Sequence, residues 1–344
     1  MMNIGTNRIL KPILAHSLLI GLSLASFALA QTPAKLVAAA LERSVPYSLA
    51  KSDFKTASEK LERIKSDPLA VKPELLEAQI GFDTARVNLT ASNLDVRRNV
   101  SRDLFTWLEA KELLDVARLK NTLAQANLNA AKVRFKSGAI NQIEVNRAEA
   151  DDRSADTDQE NANADLEAAA ANLRTRLGEL PAANIALEAT PKPQRAALEA
   201  GLENQPRVVV AKGGLDRAKL DLEIKDNEFT ASVDVQNAKT SFTNAQRNLE
   251  DARSNAKTTL SAAWDAYTAS QKAIPVRERS ATVAKEDLSA QQARFAKGLV
   301  SKLAVLQAQI GLESAQLALA QSQHRLALTV IDLAAAANMD LWAK

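Results

Sequence analysis

The sequence predicts an all-α protein built from two long helical hairpins, one a repeat of the other, packed as coiled coils with little or no β-structure. Three observations lead there. Only ten Gly and ten Pro punctuate 344 residues, and aromatic residues make up 4% of them, so helix formers run on for long stretches. A turn motif and a set of landmark residues recur at one fixed offset of 160. Apolar residues recur every seven positions, the spacing of left-handed helix packing.

The chain opens with a leader. Arg8 and Lys11 precede an apolar run without Lys, Arg, Asp or Glu over residues 12–28, and Ala28-Leu29-Ala30 is a small-x-small site. That order predicts a secretory signal peptide over residues 1–30, cut before Gln31. The run is short for a membrane anchor. The expected location is the periplasm or the outer-membrane-associated cell envelope. Removing Arg8 and Lys11 takes the formal net charge from +3 to +1, which leaves no electrostatic footprint for nucleic acid. The chain has no Cys, so an exported form has neither disulfides nor thiol chemistry. No later segment offers the ~18 continuous apolar residues of a membrane-spanning helix.

The repeat shows most clearly at Arg134-Phe135-Lys136-Ser137-Gly138-Ala139-Ile140, which resembles Arg294-Phe295-Ala296-Lys297-Gly298-Leu299-Val300. The same ungapped offset aligns Pro46 with Pro206, Phe82 with Phe242, Asn88-Leu89 with Asn248-Leu249, Trp107 with Tyr267 and Leu173 with Leu333. A biased composition matches some Ala and Leu by chance, but not Pro, Phe, Gly and the Arg-Phe-x-x-Gly turn in one register. The predicted division is a first hairpin repeat over 31–180, a connector over 181–203 and a second repeat over 204–344.

Each copy begins with a Pro-led shorter helix, 46–65 and 206–225. A brief break follows, and then a very long helix, 73–136 and 230–297. About 64 residues at 1.5 Å each make a rod of roughly 95 Å, which needs partners along its length. Gly138 and Gly298 end the long helices, where a left-handed Gly lets the backbone reverse, with Lys136 and Lys297 suiting the helix dipole. Return helices run to about 177 and 337. Between the copies, Leu177-Gly178-Glu179-Leu180-Pro181 breaks the chain, and a short helix over 194–203 forms a connector packed on the outside. Thr230-Ala231-Ser232-Val233-Asp234-Val235 alternates weakly and makes at most one short strand.

The second return helix carries two heptad stripes, Val305-Leu312-Leu319-Leu326-Leu333 and Leu303-Ile310-Leu317-His324-Ile331. They lie about 200° apart around the helix, which suits a helix with a neighbour on each side, like a stave in a barrel wall. Leu119, Leu123, Ala126, Ala130 and Val133 are spaced to pair the arms of the first hairpin. His324 reads either as a proton- or metal-sensitive joint or as a histidine satisfied between helices. Asp151, Asp152, Asp156, Asp158 and Asp165 read either as an acidic lumen lining or as a solvated helix face.

This duplicated unit, with the closing Leu177-Gly178 and the connector before Gln205-Pro206, resembles the TolC-like outer-membrane efflux proteins over about residues 46–338. The resemblance implies a homotrimer closed into a hollow α-barrel, whose tips dock the periplasmic adaptor of an inner-membrane pump. Arg134, Phe135, Gly138, Arg294, Phe295 and Gly298 would belong to those docking tips. Glu144, Arg147, Ala304 and Gln307 would line the pore entrance, where family members often carry acids; here a ring of paired acids is missing. A second departure is deeper. The family inserts two β-strands between the shorter and the long helix of each copy, and the breaks here are far too short for strands of ~9–11 residues. A barrel that closes in lipid needs such strands, so another envelope protein is expected to supply membrane attachment. The expected function is thus a periplasmic helical-barrel component of an efflux or secretion conduit. The alternative is a structural pillar or tether of the envelope without transport. No cofactor, metal site or enzymatic motif is expected: there is no nucleophile elbow, phosphate loop or metal-ligand spacing.

Overall fold

A computed structural model of the chain describes residues 33–181, 185 and 190–342, so the predicted leader lies outside the described residues. Among these residues every regular element is helical. The order is α1 (Pro33–Arg43), α2 (Val45–Ser66), α3 (Lys72–Lys136), α4 (Gln142–Leu177), α5 (Arg195–Gly201) with a 3-10 turn (Leu202–Asn204), α6 (Pro206–Lys225), α7 (Ser232–Ala296) and α8 (Lys302–Ala337). The long helices α3 and α7 are each 65 residues and the return helices α4 and α8 each 36, and the bounds of each pair differ by the repeat offset.

Local chemistry sets the boundaries. Pro46 and Pro206 sit in the first turns of α2 and α6, where a missing N–H costs nothing. Asn141 and Ser301 cap α4 and α8 by accepting the backbone N–H of Glu144 and Ala304 at 3.1 and 3.3 Å. Gly178 (φ 90°) ends α4, and its counterpart in the second copy, Asn338 (φ 48°), ends α8 in the left-handed conformation. Asn338 does more than turn the chain. Its buried amide donates to the carbonyls of Val87 and Asn204 at 3.0 and 2.8 Å, tying the end of α8 to α3 and the 3-10 turn.

The four long helices form a wall in the order α4, α3, α8, α7. Helix α3 lies between α4 and α8, and α8 between α3 and α7. The two stripes of α8 accordingly face different neighbours: Leu326 and Leu333 pack with Leu260, Trp264 and Tyr267 of α7, whereas His324 meets Phe105 and Glu109 of α3. Antiparallel pairing along the wall, marked by Arg98–Asp332 at 2.8 Å between α3 and α8, makes α3 and α7 parallel. Both hairpin turns are therefore at one end.

Each hairpin has its own core around the middle of its long helix. In the first, Leu36 and Val37 of α1 join Val100, Leu104, Trp107, Ala169 and Leu173. In the second, Leu198 of α5 joins Leu260, Tyr267, Val330, Leu333 and Ala337. The segment expected to be an external connector thus buries Leu198 completely. It stands to α7 and α8 as α1 stands to α3 and α4, and Pro193 stands in repeat register with Pro33.

Two expectations are corrected. Residues 232–235 are the first turn of α7, not a strand; Asp234 near the positive end of the helix dipole favours helix there. The stripe from Leu119 to Val133 is not the seam of the first hairpin. That seam runs through Leu114, Ala117, Ala162 and Leu166 and then through buried Asn121, whose amide donates to Asp156 (2.7 Å) and Gln159 (3.0 Å) of α4. Leu119, Ala126 and Val133 continue by sevens from Arg98 and Phe105, on the side of α3 that faces α8. No helix among the described residues is long and apolar enough to cross a membrane.

Candidate docking tips

The two hairpin turns are built alike. After α3, the N–H groups of Gly138 and Ala139 donate to the carbonyls of Phe135 and Arg134, both at 2.9 Å; after α7, those of Gly298 and Leu299 donate to Phe295 and Arg294 at 2.8 and 2.9 Å. This six-to-one bond closes a Schellman turn, which requires a left-handed residue. Gly138 and Gly298 supply it with φ of 74° and 70°. The turn fixes where the flanking side chains point. Phe135 and Phe295 are 41% and 46% exposed, and Val133, Ile143 and Leu299 are more exposed still. The two hairpins thus leave a ring of the same size partly in water at the same place.

The surroundings are basic. Lys132, Arg134, Lys136 and Arg147 on one tip, and Arg294, Lys297 and Lys302 on the other, face a single acid, Glu144, in the same stretches. Glu144 and Arg147 are exposed, as is Gln307, while Ala304 is half-buried. Glu144 and Ala304 occupy the same position, third in their helices, where each gives its N–H to the cap. The structure thus brings the six predicted tip residues to one end of the wall and sets the four predicted entrance residues just behind them.

The opposite end also has matched turns, which the sequence did not reveal. Asp67 and Asn227 accept the N–H of Leu69 and Phe229, each at 2.9 Å, and these Asx turns hold Leu69 and Phe229 outward at 84% and 91% exposure. The α2–α3 and α6–α7 breaks are these turns, of five and six residues (67–71 and 226–231).

His324 occupies neither end. It is buried, stacked on Phe105 with ring centroids 4.3 Å apart, and its Nδ1 lies 2.8 Å from Glu109 Oε1. This is the satisfied histidine of the second reading, and no cluster of metal-ligating groups exists among the described residues. Glu112 nearby reaches solvent, yet partial burial pushes its carboxyl above the usual range; His324 opposes this, and Glu109, Glu313 and Asp115 add to it.

No family model matches the chain, and no curated protein is a significant match. Solved structures do match. CusC aligns with a TM-score of 0.65 at 16% identity, covering 90% of this chain and 96% of that one. A membrane protein from Pseudomonas aeruginosa aligns at 0.63 and 13%, covering 89% and 90%. The CmeC outer membrane channel of Campylobacter jejuni aligns at 0.63 and 14%, covering 91% and 87%. The structural neighbours are TolC-family outer-membrane efflux channels, and the likeness is one of fold.

Proposed function

We propose that the chain, exported and cut before Gln31, is a helical-barrel component of an efflux or secretion conduit in the periplasm, closed as a homotrimer and docked to the adaptor of an inner-membrane pump. The observation that carries this reading is the pair of identical turns that expose Phe135 and Phe295 in basic surroundings at one end of the wall. An adaptor surface fitting them is apolar and acidic. Within each tip Gly138 and Gly298 set the turn, Phe135 and Phe295 enter the partner, and Arg134 and Arg294 meet its acids. Glu144, Arg147, Ala304 and Gln307 line the opening. The structural unit runs from α1 to α4 and again from α5 to α8.

A photo-reactive residue at position 135 or 295, introduced in cells of the native host, tests the docking. Under ultraviolet light it should give an adduct with a periplasmic adaptor protein, and Phe135→Ser with Phe295→Ser should raise retention of exported dyes. No adduct and unchanged retention would favour the second reading, a structural pillar or tether of the envelope. That reading draws on the five- and six-residue turns (67–71 and 226–231) that stand where the family carries barrel strands. On either reading another envelope protein supplies membrane attachment.

A further inference from the structure

The wall has two free edges. Helix α8 covers one side of α3, but the repeat counterparts of these two helices, α7 and α4, leave the same sides bare. A cyclic assembly repeats the α3–α8 seam between copies, with α7 of one chain against α4 of the next. We infer that the outward acids of α4 are the recognition stripe of this seam: Asp151 and Asp158 take Arg279 and Lys272 of a second copy. The inference rests on the trimer proposed above and assigns its contacts.

The seam already present gives the register. Within the chain, Arg98 of α3 bonds Asp332 of α8, and Glu109 meets His324. Moved by the repeat offset, forward from α3 to α7 and back from α8 to α4, these become Thr258 with Asn172 and Ala269 with Ala164. Seven positions along each antiparallel helix lead to the next layer toward the tips. Two layers beyond Thr258–Asn172 stand Lys272 and Asp158; three layers beyond stand Arg279 and Asp151. Two layers beyond Ala269–Ala164 stand Val283 and Ala150, with Val276 and Thr157 between. All these side chains are exposed in the single chain, Val276 at 64% and Val283 at 53%. Small residues let the helices approach closely, valines find cover, and charges of opposite sign flank them. None of the four charged groups forms an ion pair with another described residue.

One layer opposes like charges, Asp165 against Asp265, between Thr258–Asn172 and Lys272–Asp158. It makes the register checkable, because Asp165→Asn should tighten the seam, whereas in a merely solvated acid row it changes nothing.

The test is a charge exchange in the full mature chain, read as the concentration at which the trimer half-dissociates. Lys272→Glu with Arg279→Glu, and separately Asp151→Lys with Asp158→Lys, should each raise that concentration at least tenfold. The four together should return it to within about threefold of the parent. Doubles as stable as the parent, or a quadruple no better than the doubles, overturns the seam. An intact parent trimer indifferent to these charges overturns the seam alone, and a monomeric parent overturns the trimer with it. Because the chain has no Cys, Ala164→Cys with Ala269→Cys gives an independent readout. A short bifunctional thiol cross-linker should join copies through this pair, and intermolecular products no more abundant than those of either single variant would count against the register.

Discussion

Helices α3 and α7 have the same length, the same turn at the end and the same polarity in the wall, yet they are buried very differently. Leu94, Val100, Leu104 and Leu114 of α3 are almost completely covered, whereas the buried positions of α7 are few and Val276 and Val283 stand in water. The difference lies in neighbours. Within the wall α3 has α4 on one side and α8 on the other, whereas α7, which also packs on α6, has only α8 beside it. Residue type follows suit: buried Leu94 corresponds to exposed Ser254. What local chemistry decides is thus the same in both hairpins, and what packing decides is not.

The largest test of that contrast is truncation at matched positions. Leu94→Ala should cost about 3 kcal/mol, since a fully buried leucine leaves a cavity, while Ser254→Ala should change stability by less than about 0.5 kcal/mol. Urea unfolding of the two variants decides it; equal losses would break the distinction between central and edge helix.

The ends of the return helices come next. Asn338→Ala removes two side-chain hydrogen bonds and a residue that tolerates positive φ, and should cost about 2 kcal/mol. Asn338→Gly keeps the backbone, as Gly178 does, and should recover part of that loss. A thermal scan in which the two variants coincide would show that the left-handed backbone costs alanine nothing, and a Gly variant as stable as the parent would show that the side-chain bonds contribute nothing.

At the tips the hairpins should behave alike. Gly138→Ala and Gly298→Ala each force an L side chain into the left-handed region, at about 1 kcal/mol, with no steric clash at either site because nothing lies within 4 Å of the added Cβ. Losses differing by more than twofold would contradict local equivalence.

The smallest effect concerns Glu112 of α3, whose counterpart in α7 is Lys272. A raised carboxyl pKa means that the ionised form weakens the fold, so stability declines as pH rises through and above the ordinary carboxylate range. Glu112→Gln should therefore stabilise by a few tenths of a kcal/mol at pH 7 and by nothing at pH 4, measured by denaturant titration at both pH values.

The sequence made the tips legible because a Schellman turn is set within a single short motif: Arg-Phe-x-x-Gly states both the reversal and the direction of the ring. Helix ends at Leu177 and Ala337 were legible for the same reason. The stripe from Leu119 to Val133 was misassigned because a heptad says that a face is covered and not by what; the α3–α4 seam uses Asn121, which no hydrophobic count detects. Helix α1 was missed beside the leader, although Pro33 stands in repeat register with Pro193. The outward Leu69 and Phe229 were hidden in breaks judged only by their length, and the Asx residues Asp67 and Asn227 were the available signal.

The central claim is that the open wall closes on copies of itself through the free edges of α7 and α4. Mass measurement of the purified chain beginning at Gln31, with electron-microscopic imaging of the same sample, tests it most directly. The account predicts three times the chain mass and end views of a hollow ring; a well-folded, highly helical monomer at every concentration would contradict it.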